Sequence, residues 1–292
     1  MKNTLNQKLH SISFIFVAFS LLLISCQNTE INSGKFDLEK LNQIDNLINT
    51  SIDLNSLPGA VVLVAKNNKI VYKKAFGIKN PTSGEKYKTD DIFRIASMTK
   101  AITSLGIIKL WEKGLFGLDD PIEKYIPEFK GVGVLDKFNP LDSTFTIKPT
   151  QKKISIRNLL THTSGLGYGF IDGNPSIKAI FHKTKKNFMP NGVLGFSDSD
   201  VSIEKAIKEM AKMPLHHEPG ERYTYAIGID VLGYLIEIVS GESLADFFQN
   251  EIFNPLKMND TFFYLPEDKK DRLVPVLYKN ENKWSIFKDT RF

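Results

Sequence analysis

The chain has 292 residues, 42% of them hydrophobic and 11% aromatic, so it can bury a substantial core and is not intrinsically disordered. Its formal net charge of +5 is modest and its lysines are spread along the chain, which excludes the basic stripe of a nucleic-acid-binding protein. No phosphate or dinucleotide motif is present, and the five histidines lack the spacing of a metal site. We therefore expect a globular protein without a cofactor, a metal or a nucleic-acid partner.

The N-terminal residues have the pattern of an export signal. Lys2 and Lys8 precede the apolar residues 12–24, a run too short to span a bilayer comfortably. Leu-Ile-Ser-Cys follows at 23–26 and resembles the lipobox of bacterial lipoproteins, in which the cysteine carries the lipid. Cys26 is the only cysteine, so it cannot form an internal disulfide. An ordinary signal peptide or an uncleaved anchor is the alternative.

This segment predicts where the protein resides. We expect residues 1–25 to be a lipoprotein signal peptide, Cys26 to be the site of lipid attachment and residues 26–35 to be a polar tether. The protein would then be anchored to a membrane of the bacterial cell envelope through its N-terminal lipid, at the outer membrane or facing the periplasm.

The folded part is expected to begin at Phe36 with a helix and a hairpin. Apolar residues recur at helical spacing from 38 to 52, and Pro58-Gly59 ends that pattern. Residues 60–65 and 70–77 read as strands on either side of Lys-Asn-Asn-Lys. Because the first strand is apolar throughout, we expect it in the middle of a sheet, buried on both faces.

The residues that carry candidate chemistry are Ser-Met-Thr-Lys at 97–100. A serine hydroxyl needs a partner that takes its proton, and Lys100 lies one helical turn beyond Ser97 if a helix begins near Ala96. An apolar helical pattern follows to Trp111 and is stopped by Gly114. The same Ser-x-x-Lys spacing also begins at Ser83, Ser202 and Ser285, where a turn, a helix cap before residues 203–213 and a charged tail are simpler explanations.

The remainder, to about residue 264, is predicted to be mostly helical with long loops. Residues 230–240 end at Gly241, and residues 243–252 end near Pro255, each with clear cap and stop signals. Residues 130–153 could not be assigned.

Several stretches together are similar to the serine β-lactamase and penicillin-binding-protein-like superfamily, over about residues 58–263. They are Ser-Met-Thr-Lys at 97–100, Leu-Asp-Asp-Pro-Ile at 118–122, Ile-Ser-Ile-Arg-Asn-Leu-Leu-Thr-His-Thr-Ser-Gly-Leu at 154–166 and Pro-Gly-Glu-Arg-Tyr-Thr-Tyr at 219–225. The resemblance implies a mixed α/β (α+β) fold of the β-lactamase/transpeptidase type. An antiparallel sheet lobe would span 36–95 and a helical lobe 96–264, with a return segment at 265–292.

The resemblance also implies roles for three residues. Ser97 would attack an ester or amide carbonyl and form an acyl-enzyme, while Lys100 and Tyr225 would move the protons. A lysine is a base near neutral pH only if its pKa is lowered, and a tyrosine only if a cation lowers its own. Tyr225 could instead be a core aromatic residue beside Tyr223, and His162 is expected to be structural, in a turn held by side-chain hydrogen bonds.

The sequence departs from the superfamily at two places. Many penicillin-recognising members have Tyr-x-Asn where this chain has Tyr225-Ala226-Ile227, which favours an esterase over a β-lactamase or a D-Ala-D-Ala peptidase acting on a peptidoglycan-like substrate.

The superfamily's third motif needs glycine, and no glycine follows Gly241 in the 292 residues. We therefore expect a fold that is incomplete at the C-terminus and a weak catalyst or none. A non-catalytic remnant or a cell-wall-binding lipoprotein is the alternative.

Overall fold

A computed structural model describes residues 38–188 and 201–288. Predictions for the signal segment, Cys26 and the tether lie outside the described residues. The described residues form two compact units, one made of the chain up to Asp90 with Leu277–Phe287, the other of Asp91–Val276. The helices, in chain order, are α1 (Leu38–Asp53), α2 (Thr99–Glu112), α3 (Ile156–Leu160), α4 (Pro175–Phe188), α5 (Ile203–Met210), α6 (Gly228–Ser240) and α7 (Leu244–Phe248). The strands are β1 (Gly59–Lys66), β2 (Lys69–Asn80), β3 (Glu85–Lys86), β4 (Gly133–Phe138), β5 (Phe145–Pro149), β6 (Leu277–Asn280) and β7 (Lys283–Ile286).

The smaller unit contains the predicted helix and hairpin. α1 precedes an antiparallel sheet of order β1-β2-β3, and β6 and β7 form a separate antiparallel pair. Asn67 and Asn68 both have positive φ, the geometry that a tight hairpin turn requires. Asp45 on α1 accepts hydrogen bonds from Tyr72 and Lys74 of β2, so a polar contact ties the helix to the sheet.

The prediction that β1 is a central strand buried on both faces was wrong. Among the strands of the described residues β1 pairs only with β2, none of its residues is fully buried, and Leu63 is 52% exposed. An apolar run shows that a strand tolerates burial, but neighbouring strands decide how much of it is covered.

The larger unit is built around α6. This helix is apolar on nearly all sides and buries Val231, Leu232, Leu235 and Ile236, so it lies inside the core. α2 packs against it at Gly106, where an added Cβ would lie 3.0 Å from the Ile236 side chain. Gly241 ends α6 with a φ of +73°, as its sequence predicts.

The unassigned residues 130–153 contain the antiparallel hairpin of β4 and β5. The hairpin is held from far along the chain, because Leu215 donates to the Gly133 carbonyl at 2.8 Å and accepts from the Leu135 amide at 2.9 Å. Its sequence has no strict alternation, and a bulge between Leu135 and Lys137 shifts the register. The local sequence pattern therefore did not predict the hairpin of β4 and β5.

Helices and antiparallel strands together give the mixed α/β class that the sequence predicts. Within residues 38–188 and 201–288, no helix has the length and apolar character needed to cross a membrane.

Candidate active site

The candidate nucleophile lies in a strained turn. Ser97 is the middle residue of a short 3₁₀ turn, Ala96–Met98, that leads directly into α2. Ala96 has a φ of +43°, in the left-handed region that a residue with a Cβ rarely adopts. The turn leaves the Ser97 side chain exposed, within reach of a substrate.

The structure brings the three predicted site residues together. Lys100 Nζ lies 3.3 Å from Ser97 Oγ, one helical turn further along the chain. The Tyr225 hydroxyl lies 3.0 Å from the same Ser97 oxygen, and either oxygen can be the donor. Ser97 Oγ therefore has two partners that can exchange a proton with it.

A second tyrosine, which sequence analysis did not identify, completes the surroundings of Lys100. The Tyr168 ring stacks on the Tyr225 ring, with centroids 5.1 Å apart and planes within 7° of parallel. Lys100 Nζ lies 5.4 Å from the Tyr168 centroid and 5.1 Å from that of Tyr225, so both rings contribute cation–π attraction. The only sequence signal for Tyr168 was its place in Gly-Tyr-Gly just after the recognised run.

The site favours a charged lysine beside an easily ionised tyrosine. Burial lowers the pKa of Lys100, but hydrogen bonding to Tyr225 and the nearby Tyr168 and Asp230 outweigh burial, so the pKa is raised. Hydrogen bonding to Lys100, and then to Ser97, lowers the pKa of Tyr225. Of the two residues expected to move the protons, these shifts favour Tyr225 over Lys100 as the base that takes the Ser97 proton.

His162 packs against the Tyr225 ring and hydrogen-bonds the next residue of the chain. Its Nδ1 accepts a hydrogen bond of 3.2 Å from the Ala226 amide, and its ring centroid lies 4.9 Å from that of Tyr225. The surrounding turn is held by Asn158, whose side-chain nitrogen donates to Thr163 Oγ1 at 3.1 Å. The hydrogen-bond partners of Ser97 Oγ within residues 38–188 and 201–288 are Tyr225 and Lys100 and not His162, which fits the structural role expected from the sequence.

A cleft of about 650 Å³ opens beside the two stacked tyrosines. Its wall includes Tyr168, Tyr225, Asp172 and His216.

Ile227 is only 4% exposed and packs in the core, so it presents no polar group at the site. In the part of the chain that the structure describes, no group of acidic, histidine or cysteine side chains could hold a metal ion.

Comparison with known proteins identifies the family. A family model described as Beta-lactamase matches residues 44–287. Esterase EstB of Burkholderia gladioli is 30% identical over 232 residues, which cover 78% of this chain and 53% of that protein. Lovastatin esterase of Penicillium rubens is 32% identical over 242 residues, covering 80% of this chain and 56% of that protein.

The fold is shared with a solved structure described as EstCE1, a hydrolase with promiscuous acyltransferase activity. The two superpose with a TM-score of 0.71 at 25% identity, covering 85% of this chain and 59% of the other. This similarity confirms the β-lactamase/transpeptidase-like fold class. The chain spans about half the length of the curated relatives it matches.

Proposed function

Because the chain belongs to the beta-lactamase family, we propose that it is an esterase-like serine hydrolase that acts through an acyl-enzyme on Ser97. The observation that carries this proposal is the convergence of Lys100 Nζ and the Tyr225 hydroxyl on Ser97 Oγ, at 3.3 and 3.0 Å. The esterases among its relatives support the choice of an ester as substrate.

The first half-reaction would transfer the Ser97 proton to Tyr225. Ionised Tyr225, stabilised by the Lys100 cation, accepts the proton as Ser97 Oγ bonds to the ester carbonyl carbon. The tetrahedral intermediate collapses as the bond to the alcohol oxygen breaks, and Tyr225 returns the proton to that oxygen. The products of this step are the free alcohol and acyl-Ser97.

The second half-reaction would reverse these proton movements. A water molecule gives a proton to Tyr225 as its oxygen attacks the acyl carbonyl, and Ser97 leaves with the proton from Tyr225. Lys100 stays protonated throughout, so its role is electrostatic. Replacing water by an alcohol in this step gives acyl transfer.

The choice of an ester over a penicillin rests on Ile227. A β-lactam amide needs a polar partner, and the position after Tyr225-Ala226 is occupied by a buried isoleucine. We propose a small-molecule ester as substrate, and a location in the cell envelope through the lipid on Cys26.

The decisive experiment is to replace Ser97 by alanine. Although the sequence predicts a weak catalyst, any hydrolysis of p-nitrophenyl acetate by the wild type, and any labelling by a fluorophosphonate probe, should be lost in Ser97→Ala. Ser83→Ala is the matched control, because Ser83 lies in an exposed turn with the same Ser-x-x-Lys spacing and should behave as wild type. Equal hydrolysis by wild type and Ser97→Ala would refute the assignment.

A further inference from the structure

A buried acid outside the proposed catalytic group organises the loop that carries Tyr168. The Asp172 side chain is only 4% exposed. Its carboxylate accepts hydrogen bonds from the Tyr168 amide at 3.1 Å, from the Asn174 amide at 2.8 Å and from His216 Nε2 at 2.9 Å. A carboxylate taken out of water needs such donors, and here two come from the loop and the third from a distant part of the chain.

His216 attaches that loop to the rest of the site. Its amide donates to the Gly165 carbonyl at 2.7 Å, so the residue is fixed at both its backbone and its ring. Gly167 makes the close approach possible, because a Cβ there would lie 2.7 Å from Asp172 Oδ2. The Gly167 carbonyl accepts from the Ile227 amide at 3.2 Å, which connects the loop to the segment of Tyr225.

The stack of Tyr168 on Tyr225 depends on this framework. Both rings lie over Lys100 Nζ, and their near-parallel arrangement requires the Tyr168 backbone to be held in one place. The Asp172 carboxylate bonds that backbone directly, and His216 holds the carboxylate. Loss of the His216 donor would release Tyr168 from its place beside Lys100.

We propose that Asp172 and His216 are a positioning pair, which holds Tyr168 against Tyr225 and so keeps Lys100 aligned with Ser97. The proposal rests on the proposed function for its kinetic consequence. We assign neither residue a catalytic role, because within the described residues the Ser97, Lys100 and Tyr225 side chains hydrogen-bond one another, whereas the His216 ring hydrogen-bonds Asp172. Their effect passes through Tyr168.

The kinetic test is a double-mutant cycle in the full chain. His216→Leu removes the donor and should lower kcat for p-nitrophenyl acetate by about tenfold or more, as small misplacements of catalytic groups do. His216→Gln, whose amide N–H can still donate to Asp172, should recover most of that loss. In a Tyr168→Ala background, His216→Leu should cause no further loss, because the positioned ring is already gone. Losses that add in the double variant would overturn the proposal.

A second readout is independent of turnover. In protein labelled with ¹³C in its tyrosine rings, the signals of Tyr168 and Tyr225 should move in His216→Leu and in Asp172→Leu, which removes both acceptor oxygens, while other tyrosine signals stay in place. Tyr168→Phe and Tyr225→Phe assign the signals, and His182→Leu, at an exposed histidine on α4, is the matched control. Unchanged Tyr168 and Tyr225 signals would overturn the pairing even if the protein is an active esterase. Shifted signals in a protein that shows no esterase activity would refute only the proposed function.

Discussion

In the proposed mechanism, Lys100 and Tyr225 share the proton transfer and charge stabilisation that would otherwise fall to a single base. Burial alone would lower the pKa of Lys100, but hydrogen bonding to Tyr225 and the nearby Tyr168 and Asp230 raise it, and hydrogen bonding to Lys100 lowers the pKa of Tyr225. If the proposed mechanism holds, ionisation of the Tyr225 phenol governs the activity. The rate should therefore rise with pH as Tyr225 loses its proton, at a pH below the ordinary tyrosine value of 10.0.

Substitution of Lys100 should move that rise to higher pH. Lys100→Met removes the cation that lowers the pKa of Tyr225, so the pKa increases and the rising limb of kcat/KM against pH shifts upward. The measurement is the pH dependence of p-nitrophenyl ester hydrolysis by the two proteins, with Lys205→Met, the lysine of another Ser-x-x-Lys, as control.

Tyr225→Phe separates this mechanism from one in which lysine is the base. It should lower kcat about 100- to 10,000-fold, the usual contribution of a general base, and abolish the rising limb. A Tyr225→Phe enzyme that keeps the wild-type profile would show that Lys100 takes the Ser97 proton.

At the residue scale, the sequence predicted Ser97, Lys100 and Tyr225, which the structure brings together, and gave no prediction for Tyr168, Asp172 or His216. The first three belong to local patterns of residue type and spacing. Asp172 and His216 are 44 residues apart and meet only because the loop after Gly165 folds back on the chain at His216. No local pattern encodes such a contact.

The turn that follows α3 is the element on which the site depends. α3 itself begins with a capping box between Ser155 and Asn158, and the turn after it passes through His162, with a φ of +54°. It ends at Gly165, with a φ of +81°, where a Cβ would lie 2.3 Å from the His217 carbonyl oxygen. Backbone strain and a steric clash therefore both require glycine at this position.

Gly165→Ala should destabilise the protein measurably. We expect a loss of about 1–3 kcal/mol in the free energy of unfolding, from the left-handed backbone and the clash together. Gly173→Ala is the matched control from the adjacent loop, because nothing lies within 4 Å of the added Cβ, and its effect should stay within about 0.5 kcal/mol. Urea denaturation measures both, and equal losses in the two variants would contradict the structural explanation.

Elements with their own start and stop signals were predicted best. Ser202 and Ser243 cap α5 and α7, and Gly241 ends α6, as the sequence indicated. The hairpin of β4 and β5 and the burial of β1 were not predicted, because both depend on which neighbours a strand finds. The burial of a strand depends on which other parts of the chain pack against it, whereas a helix cap depends on residues that are close together in the sequence.

For the molecule as a whole, substrate class is the property that the family alone does not fix. With Ile227 buried, a β-lactam amide would lose a hydrogen bond, at a cost of about 1–3 kcal/mol. We expect kcat/KM for p-nitrophenyl acetate to exceed that for a chromogenic cephalosporin. The reverse order would show that another group binds the amide.

Attachment to the envelope remains a prediction from the sequence, since Cys26 lies outside the described residues. Metabolic labelling with an alkyne fatty acid in a bacterial host should mark the wild type and not Cys26→Ser. If both proteins incorporate the label equally, the lipobox interpretation is wrong.

The left-handed backbone at Ala96 sets two kinds of selection against each other. A residue with a Cβ in this conformation costs about 1–3 kcal/mol, whereas glycine adopts it freely. Glycine at position 96 would therefore raise the free energy of unfolding. Alanine has fewer accessible backbone conformations and so would restrict the orientation of the Ser97 side chain, which would favour turnover in the proposed mechanism. Under the proposed mechanism, stability and turnover would therefore favour different residues at position 96.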